Sequence, residues 1–117
     1  MMKATDPQLL EAIRVLRKAA KTHEAEIWRA LSEELSRPKH RRAAVNLSRI
    51  SRSLKGGEIA AVPGKVLGAG SPGKISVAAF SFSETARRKI EENGGECLSL
   101  SALVERNPKG SGVRIVV

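Results

Sequence analysis

Nineteen consecutive residues, Arg37 to Lys55, read RPKHRRAAVNLSRISRSLK and hold seven lysines and arginines without one acidic side chain. Unpaired charges of one sign stay in water, so these seven side chains form a cationic surface. Basic and acidic residues balance at six each over residues 1–36, and stand at eight against six over residues 56–117. The formal net charge of +9 is therefore a local patch on a nearly neutral protein. A solvated charged face normally mixes its signs, and this one does not. A concentrated cationic surface recruits polyanions and holds them by releasing their counterions, which makes nucleic acid the leading partner.

The stretch before the patch reads as a helical hairpin, residues 1–36. Thr5-Asp6-Pro7 is a helix start, with a side-chain oxygen to cap the first amides and a proline where its missing donor does no harm. Leu9, Leu10, Ile13, Leu16 and Ala20 follow helical spacing to about Lys21. Thr22 is placed to cap a second helix with Glu24 and Glu26 in its first turn and Ile27, Trp28, Leu31 and Leu35 on one face. Stripes this short are core faces rather than partner-binding ones. Pro38 breaks the helix and sets RPKHRR as an extended run. Asn46 then caps a third helix that turns Leu47, Ile50 and Leu54 inward and Arg49 and Arg52 outward, with Ser48 and Ser51 near them.

After Gly56-Gly57 the pattern changes to short β-rich pieces, Glu58–Val62, Lys65–Leu67 and Ile75–Phe82, broken by Pro63-Gly64 and by GAGSPG at 68–73. Ser83 caps a helix to about Asn93, stopped by Gly94-Gly95. A short strand at Cys97–Leu98, a brief helix capped by Ser99 or Ser101, and a buried strand at Val113–Val117 complete the chain. Strands alternating with helices predict an α/β layered domain with parallel pairing. Residues 56–117 form its core, and the hairpin reads as an appendage to it.

Composition excludes several classes. At 117 residues with 41% apolar and 28% charged side chains, the chain fits one globular domain. No apolar run reaches eighteen residues and MMKATDPQLL lacks a secretory core, so a cytoplasmic protein with no membrane partner is expected. Cys97 is the single cysteine, and His23 and His40 are the only histidines, so neither a disulfide nor a transition-metal site is expected. Aromatics are limited to Trp28, Phe80 and Phe82, which argues against a stacking platform and directs RNA contact to backbone and shape.

Residues 68–74, GAGSPGK, satisfy both G-x-G-x-x-G and the spacing of a phosphate-binding loop. A working loop needs a hydroxyl after the lysine and a following helix to offer its amides. Ile75 replaces the hydroxyl and a strand pattern follows, so no cofactor or small-molecule substrate is expected. Asp6 is the only aspartate, Cys97 suits a small buried hydrophobe, and no paired carboxylates stand in an acid–base context. No catalytic constellation is present. The loop Asn107-Pro-Lys-Gly-Ser-Gly-Val-Arg114 exposes bare amides between Lys109 and Arg114, which suits phosphate or sugar contact, and it fits an ordinary turn equally well. Pro63-Gly64-Lys65 is a weaker case of the same kind.

The blocks VNLSRI at 45–50, VPGKVLGAG at 62–70, VAAFSFSETARRKI at 77–90, ENGGE at 92–96 and NPKGSGVRI at 107–115 resemble the archaeal large-subunit ribosomal protein eighteen-e family, in order and over essentially the full chain. The short length, without the C-terminal extension of the eukaryotic counterpart, points to an archaeal member. The resemblance implies a fold shared with bacterial large-subunit ribosomal protein fifteen, an irregular layered superhelix of strand and helix units. It also implies a structural role on large-subunit rRNA among neighbouring ribosomal proteins. The family's basic stretch falls on Arg37, Lys39, Arg41 and Arg42, its VNLSRI block on Asn46, Ser48 and Arg49, and its glycine motif on Lys109, Gly110, Gly112 and Arg114. With His40, Arg52, Lys55 and Lys65 from the charge pattern, these are the expected RNA-binding residues.

Overall fold

The computed structural model describes residues 6–117. Five parallel strands form one sheet between two helical layers. The chain runs through α1 (Pro7–His23), α2 (Glu26–Leu35), a single 3-10 turn (Lys39–Arg41), β1 (Ala43–Asn46), α3 (Leu47–Ser53), β2 (Ile59–Leu67), β3 (Ser76–Phe82), α4 (Glu84–Glu92), β4 (Glu96–Ser99), α5 (Leu100–Arg106) and β5 (Val113–Ile115). Strand order is β1-β2-β3-β4, and β5 also pairs with β2. The long central strand thus takes β3 along one edge and two short strands end to end along the other. β5 pairs with Ile59–Ala61 and β1 with Gly64–Leu67.

Both faces of the sheet are covered, so its strands read as continuous apolar runs, IAAV and VAAF, rather than as alternation. On one face Ala61 and Ala78 pack with Leu9, Leu16, Trp28, Leu31 and Leu35 of the hairpin and with Leu100 and Leu103 of α5. On the other, Ala60, Val62, Val66 and Val77 pack with Leu47 and Ile50 of α3 and Ala86 and Ile90 of α4. The hairpin, with α5, therefore forms one layer of the core and is not an appendage. Trp28, fully buried, fixes it further by donating from Nε1 to the Pro108 carbonyl at 2.7 Å.

Three strands pass into helices with no loop between. The corner residues Asn46, Ser83 and Ser99 share φ near −69 to −81° and ψ of 157–159°. An extended residue already has the dihedrals of an N-cap, so one residue ends the strand and starts the helix. The Ser83 and Ser99 hydroxyls accept from the Ala86 and Ala102 amides. Asn46 sits at the corresponding position but makes no cap bond; its Oδ1 accepts from Ala69 N–H at 3.1 Å instead.

Other local expectations are also corrected. Asp6 caps α1 through Gln8 N–H, while Thr5 lies outside the described residues. Thr22 caps nothing, because α1 continues to His23 and turns at Glu24, whose φ of +51° and bond to the Ala20 carbonyl close the helix. Pro63-Gly64 does not break a strand. Both residues are buried within β2 at a bulge, where the register to β3 shifts between Val62 and Lys65. Pro63, with no N–H, falls between the segments that pair with β5 and with β1, which is where a strand tolerates proline. Gly64 is required there, since a Cβ would stand 2.0 Å from the Ala43 carbonyl oxygen. The strand at 113–117 is confined to Val113–Ile115 and is half-buried. No helix of the described residues is long and apolar enough to cross a membrane.

Candidate nucleic-acid interface

The acid-free segment is not one continuous surface. RPKHRR is compact rather than extended: Arg41 N–H donates to the Pro38 carbonyl at 2.8 Å and Arg42 Nε to the Arg37 carbonyl at 3.1 Å, closing a turn. Arg37, Lys39, His40 and Arg41 are exposed and Arg42 is half-buried. The turn lies beside the N-terminal end of α1, whose side of the sheet it shares. β1, four residues too short to stand out in the sequence, then carries the chain along the sheet edge to α3, which packs on the opposite face. Arg49, Arg52 and Lys55 are exposed there. The structure thus divides the sequence's single patch into two.

The two divisions are held differently. On α3, Leu47 and Ile50 are fully buried. Ser48 N–H donates to the Ala69 carbonyl at 3.1 Å, reciprocating the Asn46–Ala69 bond, and Arg49 Nε donates to the Val117 main-chain oxygen at 2.7 Å. Asn46 and Ser48 are accordingly half-buried and engaged with the 68–70 loop. In the turn, the one carboxylate in contact is Glu34, 3.2 Å from Arg37 Nε on a partly exposed pair. Such a pair adds little stability.

Lys65 joins the turn. It stands opposite Ala44 of β1 and Ser81 of β3, exposed, and with Lys39, His40 and Arg42 it borders a cleft of about 840 Å³. Phe80 and Leu9 supply apolar lining and Asp6 the single carboxylate. Composition pointed away from any aromatic at an RNA surface; Phe80 lines this cleft because the last residues of β3 run out from under the hairpin.

The glycine-rich loops are largely explained by packing. A Cβ at Gly68 would meet Thr85 at 2.6 Å, and one at Gly70 would meet Ser48 at 2.6 Å. Lys89 Nζ donates to the Gly68 and Gly70 carbonyls at 2.7 and 3.2 Å. No helix follows Lys74, so the phosphate-loop geometry is absent. Gly110, with φ of +73°, would set a Cβ 2.4 Å from Ile27. The loop is tied by Asn107 Nδ2 donating to the Ser111 carbonyl at 2.5 Å. Gly112 has open space around it and φ of +71°, and its carbonyl accepts from Ile59 N–H, starting the β2–β5 pairing. Lys109 is exposed at the tip. Arg114 is committed to Glu58, with bonds of 2.9 and 3.0 Å to the two carboxylate oxygens. This bond, with the Lys55 amide, holds the Glu58 carboxyl below its ordinary range.

Glu96 is likewise lowered by its bond to Arg106. Burial pushes the Cys97 thiol up, which suits the inert core role its sequence context suggests. Among the described residues no cluster of His, Cys, Asp and Glu is arranged to hold a metal ion.

Residues 1–117 match the family described as ribosomal protein 60S L18 and 50S L18e. A protein of Archaeoglobus fulgidus named large ribosomal subunit protein eL18 is 45% identical over 117 residues, covering 99% of this chain and all of the relative. Proteins of the same name from Methanothermobacter thermautotrophicus and Pyrobaculum aerophilum are 47% and 45% identical. They cover 96% and 97% of this chain and 93% of each relative.

Proposed function

Since this chain belongs to the ribosomal protein 60S L18 and 50S L18e family, we propose that it is a structural, non-enzymatic constituent of the large ribosomal subunit in the cytoplasm, held there by neutralising rRNA phosphates. The observation that carries the mechanism is the acid-free segment, whose seven cations are presented in two groups on opposite sides of one sheet. Arg37, Lys39, His40, Arg41, Arg42 and Lys65 form the first contact group, and Arg49, Arg52 and Lys55 the second. Lys109 extends the surface at the C-terminal loop. Asn46, Ser48, Gly110 and Arg114 act through the backbone positions they fix, since each is engaged within the protein. Gly112 leaves open space in which its backbone can approach a phosphate. Neighbouring ribosomal proteins complete the set of partners.

If about six phosphates are neutralised, log K for rRNA falls with log salt at a slope of roughly −4 to −5, at ~0.7–0.9 per contact. Sedimentation of native lysate through a high-salt sucrose gradient, with this chain followed by mass spectrometry, tests the assignment. It is expected to travel with the large subunit. Recovery only at the top of the gradient would refute an integral role.

A further inference from the structure

The cleft between the 3-10 turn and Lys65 combines two features that phosphate neutralisation alone does not need. Lys39, Arg42 and Lys65 converge on it from two elements, the turn and β2. Lys39 and Lys65 are exposed and form no ion pair among the described residues, and Arg42 uses only Nε internally. Leu9 and Phe80 supply its apolar lining, and its single carboxylate, Asp6, is engaged as the α1 cap. A duplex resting on a cationic surface keeps its bases stacked inside and leaves such a recess unfilled. A nucleotide turned out of its helix fills it, with the sugar–phosphate on the cations and the base against the ring. The cleft lies where the carboxyl-terminal halves of β2 and β3 meet the start of β1.

Two other cavities among the described residues lack this pairing of features. The one between α1 and α5 has Phe80 and Leu100 but Glu11 as its charged side chain and no cation. The groove at the opposite end of the sheet carries Lys55 and Lys74 but also Glu58 and Glu96, and no aromatic.

We propose that this cleft is a site for one unpaired nucleotide of RNA, whose phosphate is held by Lys39, Arg42 and Lys65 and whose base packs on Phe80. The proposal rests on the rRNA-binding reading above and specifies its contact. The test measures binding of the full chain to two RNA hairpins of equal length and charge, one fully paired and one with a single bulged adenosine, at about 0.05 M salt. The bulged hairpin is expected to bind about tenfold more tightly, in line with base–aromatic stacking. Phe80→Leu, which keeps an apolar side chain in the core, should remove that advantage while leaving the paired hairpin unchanged. Removing only the base of the bulged residue should have the same effect as Phe80→Leu. Equal binding of both hairpins by the unaltered chain, or an advantage that survives Phe80→Leu, would overturn the nucleotide site and leave the phosphate mechanism standing. Binding of neither hairpin would remove the RNA-binding reading itself and this site with it.

Discussion

The 3-10 turn and α3 come from the same acid-free segment, yet they are anchored in opposite ways. The turn is closed by its own backbone bonds, and its cations, exposed except for the half-buried Arg42, have one partly exposed carboxylate, Glu34, in contact among the described residues. α3 is seated by two fully buried aliphatics and latched at its start to the 68–70 loop and through Arg49 to Val117. Charge density alone does not distinguish these cases, because it reports what a segment offers to a partner and not what holds the segment. The difference teaches that the first half of the patch is free to be tuned for binding, whereas the second carries binding and stability together.

The most severe way to break that comparison is to reverse the charge of the turn. Arg41→Glu with Arg42→Glu should lower affinity for large-subunit rRNA on the order of a hundredfold near 0.1 M salt and prevent incorporation into the subunit. The unfolding midpoint should move by only about 5 °C or less, since Arg41 is exposed and Arg42 gives up a single Nε bond to the Arg37 carbonyl. Normal incorporation would show that the turn is only a solvated surface, and a large loss of stability would show that it is anchored after all.

A smaller perturbation probes the latch on α3. Asn46→Ala leaves the exposed Ala69 amide to water and should cost about 0.5–1.5 kcal/mol in denaturant unfolding. Ser83→Ala, which removes a true cap, should cost about 1 kcal/mol. The informative variant is Asn46→Ser: it restores the side chain found at the other two corners but is too short to reproduce the bond to Ala69. If Asn46→Ser is as stable as the parent chain while Asn46→Ala is not, a serine cap and the Ala69 latch are interchangeable at this corner; if neither substitution costs stability, α3 needs only its buried face.

The smallest effect concerns Glu58, which is paired with Arg114. Its folded pKa is depressed, chiefly by the Arg114 bond. Its contribution to stability is therefore complete above the unfolded carboxylate value, about 4.3, and is lost as pH falls through the folded value. Glu58→Gln should flatten the acid limb of a stability–pH profile below about pH 4.3 and leave the neutral limb parallel to that of the parent chain. An unchanged acid limb would show that the pair is not linked to folding.

The elements legible in the sequence are those with strong local signals. Asp6-Pro7 opens α1, Ser83 and Ser99 cap α4 and α5, and Gly94, at φ of +79°, follows α4 as its stop. What escaped depends on tertiary partners. Glu24 turns the hairpin in a left-handed conformation that Gly or Asn would ordinarily announce. Pro63-Gly64 looks like a terminator until two strands meet along one edge of β2. The hairpin resembled an appendage because its stripe is equally apolar whether it covers a sheet or a partner. At the site, the cations were visible as composition, but their division between two faces required β1, and Phe80 became relevant only once Lys65 was placed across the strands from Ala44. The glycines of both loops invited a ligand where Thr85, Ser48 and Ile27 already occupy the space.

The parallel sheet sets an order of events during synthesis. β2 cannot complete its second edge until residues 113–115 arrive, and Trp28 waits for the Pro108 carbonyl, eighty residues later, before its indole N–H is satisfied. No two strands are joined by a hairpin, so each pairing closes a long loop, and such topologies fold slowly. The cationic turn and α3 leave the ribosomal exit tunnel before β2, the strand that pairs with β1 between them. The spacing between the turn and α3 is set as soon as β2 pairs with β1, and the final strand closes a sheet in which that spacing already exists.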